Sequence, residues 1–394
     1  QSTAKDAPSR ALDLAYGSIL FEYYQGHAFE ALSRLDIAKL RGGIKGHGDH
    51  PALVEGGLML SYGMTQAAKT LFESLLDDSA QNEEDQSRLL TDTEKNQAWF
   101  YLGKVFYLEQ QYALSLETFG KIDQQVLQQN NEALLYELFY LKGQMSLHSE
   151  NNGTTLKQQI ERLPDEHIFK YYLRYNHAIE LIKVPGLESA IRSLDDLVAS
   201  INQNINSIVR WGSSTNAHQD IVIELTALKE QSLLSLGQLH LQNKDHQKAF
   251  DYVKLIHKDS VFSDQALFTY SVAATNLKQY NYALEALNTL KQRELFTPWL
   301  QQVPYALAYL YEQLGEPELA IQAYLLAAKH YEQLVTDLTE NSKKLSEQKI
   351  LAALNLDKNI GQESVESDAY GNLSVVPKDF NLAIILSSET FQRS

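Results

Sequence analysis

A helix–turn–helix pattern between Trp99 and Ile122 constrains the fold of this chain more than any other feature. Apolar residues recur at helical spacing on both sides of a short break, so each half forms one buried stripe on a helix. Gly103 has no side chain, which lets a second helix approach its backbone, and Ser115 is the small residue that follows 12 positions later. One helix pair cannot bury both of its apolar faces, so it requires neighbours of the same kind. The pattern consists of Trp99, Leu102, Gly103, Phe106, Ser115, Phe119 and Ile122.

Seven further segments carry a small residue at the equivalent place in a second helix. In several of them a small residue in the first helix precedes it by the same 12 positions, as for Gly56 and Ala68 or Gly237 and Ala249. Successive second-helix small residues are separated by 37, 47, 40, 35, 59, 34 and 37 residues. We therefore predict eight helix pairs in series, whose second-helix small residues are Ala31, Ala68, Ser115, Thr155, Ala190, Ala249, Ala283 and Ala320.

These residues resemble the tetratricopeptide repeat (TPR), whose pattern is W-x2-L-G-x2-Y followed by small-x3-F in a unit of about 34 residues. The resemblance covers residues 11–335 and implies an all-α, right-handed superhelical solenoid of antiparallel helix pairs. Within this family, the chain resembles TPR proteins of the bacterial envelope. The remainder divides into a helical extension at 336–356, a polar linker at 357–378 and a short amphipathic helix at 379–394. Polar inserts are expected at 77–96 and 201–219, the second of which contains Trp211.

Composition excludes several classes of protein. The chain carries 34 basic and 50 acidic residues, for a net charge of −16, which argues against nucleic acid as a partner because such binding needs a basic face. No apolar run reaches the ~18 residues of a transmembrane helix. The absence of Cys excludes disulfides and thiolate chemistry. Together with a start at Gln1, it favours an exported, periplasmic protein, with a cytoplasmic one as the alternative.

The segment 41–51, RGGIKGHGDHP, is the densest cluster of unusual residues. A phosphate loop would need a following Lys-Ser/Thr pair, which is absent; a metal site could use His47, Asp49 and His50; and an anion-binding nest is a third reading. The simplest interpretation is structural: glycines end one helix, and Asp49 or His50 caps the next, which starts at Pro51. No catalytic motif occurs elsewhere, so we expect a non-enzymatic protein with no cofactor and no metal.

The TPR resemblance implies that first helices line a concave face where a protein partner binds. Phe100 and Phe268 stand where chaperone-binding TPR domains carry a clamp lysine, so an acidic C-terminal peptide is not the expected ligand. The predicted partner-binding residues are Gln97, Phe100, Lys104, Tyr107, Gln231, Leu234, Gln238, Gln265, Phe268, Asn276, Gln302, Tyr305 and Tyr309, with Leu241, Val272 and Glu312 beside them.

This Gln- and Tyr-rich face favours a scaffold that binds a peptide or helix of a protein partner in a multiprotein envelope assembly, one that can be associated with a membrane. The segment from Phe380 to Phe391 is one candidate occupant from the chain itself. A glycan- or lipid-binding solenoid in an envelope secretion or cell-wall system is the alternative, because such grooves also suit sugars. An enzyme on a helical superhelix is a third reading, without a motif to support it.

Overall fold

The protein is described by a computed structural model that covers residues 13–41, 50–77, 90–148, 152–183, 186–211, 216–293 and 298–344. These residues form 17 α-helices and no strand, and 83% of them are helical. The predicted all-α fold of successive helix pairs is confirmed. The described residues divide into two compact units, 13–173 and 174–344, with the division inside one helix.

The first unit contains nine complete helices, most of them joined in pairs by short turns. They are α1 (Leu14–Tyr24), α2 (Ala28–Leu40), α3 (Pro51–Ser61), α4 (Thr65–Leu76), α5 (Asp92–Leu108), α6 (Tyr112–Gly120), α7 (Gln124–Asn130), α8 (Glu132–Ser146) and α9 (Asn152–Arg162). The next helix, α10 (Ile168–Leu181), starts in this unit and ends in the second.

The second unit continues the same arrangement with longer helices at both ends. Its members after α10 are α11 (Glu188–Trp211), α12 (Asn216–Gln242), α13 (His246–Val253), α14 (Ser263–Asn276), α15 (Tyr280–Lys291), α16 (Pro298–Gln313) and α17 (Pro317–Lys344). Each helix packs mainly on its neighbours in sequence, so the core is a series of local clusters rather than one centre.

Close approach at small residues holds each pair together. The Phe119 ring of α6 covers Gly103 of α5 so closely that a Cβ added at Gly103 would overlap it. The Ser115 hydroxyl, fully buried, donates a hydrogen bond to the Gly103 carbonyl oxygen at 2.8 Å. Phe72 covers Gly56 in the same way. The two small residues 12 positions apart in the sequence therefore mark where the two helices of a pair come into contact.

The turn between paired helices also repeats. Gly63 has a positive φ of 81°, and the next amide, Met64 N, donates to Met59 O at 2.8 Å, which closes a Schellman motif. Five positions before the second-helix small residue, the same left-handed conformation recurs even where the residue is not glycine. The positions with positive φ are Gly26, Gly63, Gln110, Lys244, Lys278 and Gly315.

The fourth pair departs from the predicted pattern. Thr155, predicted as its small residue, is exposed, and the adjacent Leu156 is buried in its place. Gly143 is covered from α10 instead, because a Cβ there would lie 2.7 Å from Leu173 Cδ1. The seven-residue α7 also precedes this pair and was not predicted. It explains part of the long spacing between Ser115 and the next unit.

Helices extend into both predicted inserts where the structure describes them. Residues 92–96 belong to α5, which starts with a capping box in which Thr91 and Glu94 bond each other's backbone amides. Residues 201–211 form the end of α11, and residues 216–219 form the start of α12. The two helices pack on each other as a pair. Ile201 and Asn204 of α11 and Leu225 of α12 are buried, so each helix keeps a buried side within this mostly polar stretch.

The last helix, α17, runs beyond the length of α16. The hydroxyl of Tyr331 on α17 donates to Gln301 O near the start of α16, at 2.7 Å, and 13 further residues of α17 follow. The extension beyond Lys344, the linker at 357–378 and the helix predicted at 379–394 lie outside the described residues. Among the helices described, none combines the length and apolarity that crossing a bilayer requires.

Candidate functional site

In the first unit, the exposed edges of α5 and α8 form one continuous polar face. Lys104 Nζ of α5 lies 2.7 Å from Glu137 Oε1 of α8. One turn along α8, Gln144 Nε2 donates to the Tyr140 hydroxyl at 2.7 Å. Lys104 and Gln144 directly follow Gly103 and Gly143, and the contacts connect them to other first-helix positions of α8, so the repeat register describes a surface here.

An aromatic cluster continues this face toward α10. The Tyr140 ring stacks on Phe169 at 4.6 Å between centroids, with planes 15° apart, and contacts Tyr172 at 6.3 Å. Tyr136 meets His167 edge-on at 4.9 Å. These side chains are partly exposed, so they offer apolar area with polar tips.

Sequence reasoning missed the contribution of the fourth helix pair to this face. Glu137, Tyr140 and Gln144 stand at the same offsets from Gly143 as the predicted Gln97, Phe100 and Lys104 do from Gly103. The signal was therefore present, but the irregular second helix of this pair obscured it. Tyr172 likewise precedes Ala178 by six residues, as Glu137 precedes Gly143.

The structure places the predicted residues of the first unit in two environments. Gln97, Lys104 and Tyr107 are partly exposed, as a binding face requires. Phe100 is fully buried against the Phe119 ring, with centroids 5.9 Å apart, and it belongs to the core. Phe100 is therefore not part of an accessible site, because the following first helix, α8, packs over it.

The second unit shows the same division. Leu234 is buried with Val253 and Ala266, so it too is removed from the accessible face. Phe268 is partly buried and contacts Trp299 at 5.8 Å. The remaining predicted residues stay accessible in whole or in part: Gln231, Gln265, Leu241 and Val272 are partly buried, and Gln238, Asn276, Gln302, Tyr305, Tyr309 and Glu312 are exposed.

The end of the second unit is the most open part of this face. Tyr305 and Tyr309 are 57% and 42% exposed, one turn apart on α16. Tyr305 lies 5.9 Å from the Tyr324 ring of α17, whose hydroxyl donates to Glu312 Oε2 at 2.9 Å. Apolar area with polar tips is thus available to a partner without rearrangement of the helices.

The His-rich segment shows a capping role for its last residue. His50 Nδ1 accepts a hydrogen bond from Ala52 N at 3.3 Å at the start of α3, and burial lowers the pKa of His50. His47 and Asp49 lie outside the described residues. Within those residues, no three His, Asp or Glu side chains are arranged to hold a metal ion.

The second unit also contains a histidine, His240, whose buried side chain makes no hydrogen bond. His240 is 3% exposed, and neither ring nitrogen makes a hydrogen bond. Its ring stacks on Tyr252 at 5.3 Å, and the Tyr252 hydroxyl donates to Asp195 Oδ1 at 2.6 Å. Desolvation lowers the pKa of His240, against the smaller opposing effect of Asp245, whose Oδ2 lies 3.6 Å from Nδ1.

We expect His240 to make folding stability depend on pH. The unfolded chain binds a proton near the usual pKa of 6.5 and the folded chain only at lower pH, so stability falls as pH drops below about 6.5. The slope from one such group is at most about 1.4 kcal/mol per pH unit. In His240→Phe, which keeps the stacking on Tyr252, the decline between pH 7.5 and 5 should be shallower by denaturant titration. An unchanged slope would contradict this assignment.

Comparisons with known proteins give a likeness in solved structures only. No family model matches the chain, and no curated protein matches it. A monomeric mutant of IFIT1 with Gppp-AAAA is similar at 15% identity and a TM-score of 0.26, over 82% of each chain. A human IFIT1 dimer with m7Gppp-AAAA is similar at 14% identity and a TM-score of 0.25, over 80% of this chain and 81% of that one. Because these values establish no shared ligand, function is argued below from this chain's own residues.

Proposed function

We propose that this chain is a non-enzymatic helical-repeat scaffold that binds a peptide or helix of a protein partner on the face formed by its first helices. The observation that carries the proposal is the exposure of Tyr305 and Tyr309 beside Gln302 on α16. Preformed helices place these side chains, so binding requires little ordering of the scaffold. Tyrosine supplies contact area at low entropic cost, and glutamine supplies adaptable hydrogen bonds.

The electrostatics favour a protein over a nucleic acid as partner. The net charge of −16 opposes a polyanion, and a phosphate backbone needs several free cations along one face. Lys104, the predicted cation of the first unit's face, is engaged by Glu137. The same ion pair disfavours capture of an acidic C-terminal peptide. We therefore propose a partner segment that is apolar or mixed in charge.

We place this activity in a bacterial cell-envelope assembly, in an exported, periplasmic protein. The supporting features are the TPR-like repeats and the absence of Cys, which suits an oxidising compartment. Fractionation of cells that express the full-length gene tests the location: recovery with periplasmic markers supports it, and recovery with cytoplasmic markers contradicts it.

One observation favours the alternative of a lipid- or glycan-binding solenoid. An open cavity of about 640 Å³ lies between α15, α16 and α17. Its walls are largely apolar, and Lys291 and His330 are among the residues that line it. The residues that form its apolar wall include Leu290, Leu300, Val303, Leu307, Leu319 and Leu326. Extraction of the purified protein with organic solvent, followed by mass spectrometry, would reveal a stoichiometric lipid if this alternative holds.

The binding face is tested by the double substitution Tyr305→Ala, Tyr309→Ala. Loss of two exposed aromatic anchors should weaken partner capture about tenfold or more, because such anchors contribute roughly 1–2 kcal/mol each. The melting temperature should stay unchanged, since both side chains are exposed. The measurement is quantitative mass spectrometry of proteins retained from native membranes by the full chain and by the variant.

Tyr282→Ala provides the matched control. Tyr282 is 53% exposed but lies on α15, a second helix, and is not one of the residues of the proposed face. Proteins lost from the double variant and kept by the control are the specific partners. If all three chains retain the same proteins in the same amounts, the proposed face is not the binding site.

A further inference from the structure

The residue three positions before each first-helix small residue lies where one helix pair packs on the next. Phe100 and Leu234, at this offset in α5 and α12, are buried by the first helix that follows. Phe268, at the same offset in α14, contacts Trp299 of α16. In α16 the offset falls on Tyr305, which is exposed because no described helix follows.

Second helices add exposed apolar residues at the last pair, although the position after the small residue is not buried in every pair, since Leu116 of α6 is 46% exposed. Phe250, which follows the small residue Ala249 of α13, stacks on Tyr270 of the next first helix at 4.3 Å. Its equivalent in α17, Ile321, is 60% exposed, and Leu325 one turn later is 67% exposed.

The position four residues after the small residue packs on the first helix of the same pair, as Phe119 does on Gly103, so its burial does not depend on a following helix. Phe72, Phe119, Val253 and Leu287 at this offset are between 0% and 3% exposed. Tyr324 of α17 is only partly buried. We name the surface formed by Tyr305, Tyr309, Ile321, Tyr324 and Leu325 the terminal socket. By repeat register, it is the site of one more helix.

We propose that residues 379–392 of this same chain occupy the terminal socket. This segment, DFNLAIILSSETFQ, is the apolar stretch nearest the C-terminal end, with six of its first eight residues apolar. It offers aliphatic and aromatic side chains at helical spacing, which are the side chains that would pack on the exposed apolar residues of the socket. Exposed apolar area of this kind at the end of a repeat array is otherwise an association hazard, which a terminal cap removes.

Chain length selects this segment over a nearer one. Leu325 precedes Lys344 by 19 residues of α17, which is about 28 Å along the helix. Ile350 is six residues from Lys344, or ~20 Å when extended, so a helix that starts at Ile350 cannot lie against the socket. Residues 345–378 can span more than ~100 Å, so Phe380 reaches it. Attachment to the same chain also gives the segment a high effective concentration.

The absence of Cys permits a direct test by crosslinking. In the full chain, Ile321→Cys is paired with Ile384→Cys, and separately with Ile385→Cys, and treated with a short bismaleimide at low protein concentration. We expect an intramolecular crosslink in at least one pair, formed about tenfold faster than in a control that pairs Leu116→Cys with Ile384→Cys. Leu116 occupies the register position of Ile321 in α6 and is 46% exposed, which makes it the matched control.

The products distinguish this proposal from its rivals. A crosslinked monomer that disappears with Leu382→Asp supports the proposal. A crosslinked dimer shows that a second copy covers the socket and overturns it, as does equal reaction in the control pair. This inference rests on the same tyrosines as the proposed function, so a partner that binds Tyr305 and Tyr309 must displace residues 379–392 from the socket. The crosslink forms without any partner, so its failure and the failure of partner capture are distinguishable outcomes.

Discussion

Replacing Gly103 with Leu is expected to lower the free energy of unfolding by about 1–3 kcal/mol or more. Even a single Cβ at this position would overlap the Phe119 ring, which is fully buried and held by α8 on its other side. The ring cannot move away without opening the core, so α5 and α6 must separate. Chemical denaturation followed by circular dichroism measures the loss.

Gly57→Leu is the control for this substitution. Gly57 is also in the middle of a first helix, but a Cβ there would meet only the Tyr23 hydroxyl oxygen, at 3.9 Å. Removing glycine from a helix interior stabilises by about 0.5–1 kcal/mol, so this variant should be neutral or slightly more stable. Equal effects of the two substitutions would contradict the assignment of Gly103 to a helix contact.

The contrast between Gly103 and Gly57 shows why the fold could be predicted from sequence. A small residue at a helix crossing is required by sterics, and its partner must follow at a distance fixed by helix length and turn. The offset between Gly103 and Ser115 therefore carried both the pairing of helices and their register. Where the turn lengthens, as between α8 and α9, the offset loses this meaning: Leu156 is buried in place of Thr155, and the prediction of Thr155 failed.

The binding face was less predictable because its exposure depends on the neighbouring unit. Phe100 and Tyr305 have the same offset and similar chemistry, yet one is fully buried and the other is 57% exposed. The difference lies in whether a further first helix packs on that side, which is a property of the whole array. Local sequence likewise gave no sign that Gln110, Lys244 and Lys278 would adopt positive φ. That conformation follows from the Schellman turn that each pair requires.

Removing the guanidinium in Arg293→Met is expected to cost about 2–4 kcal/mol. Arg293 pairs with Asp264, which is buried in the first turn of α14, and its Nη1 also donates to Ser263 Oγ at 2.7 Å. Its Nη2 reaches the Lys258 carbonyl oxygen at 3.4 Å. Loss of this side chain leaves a buried carboxylate without its counter-ion, and that is more costly than losing an exposed pair. Thermal or denaturant unfolding of the second unit's core reports the effect.

The origin of that cost can be separated with a second substitution. If the unpaired Asp264 carboxylate is responsible, Arg293→Met combined with Asp264→Asn should recover at least half of the lost stability, although the acidic residue at the start of α14 is lost with it. Lys183→Met, which removes the exposed partner of Glu180, should change stability by no more than about 0.5 kcal/mol. Since Arg293 joins the end of α15 to the start of α14, a double variant as unstable as Arg293→Met alone would instead assign the loss to its hydrogen bonds with Ser263 and Lys258, and not to charge.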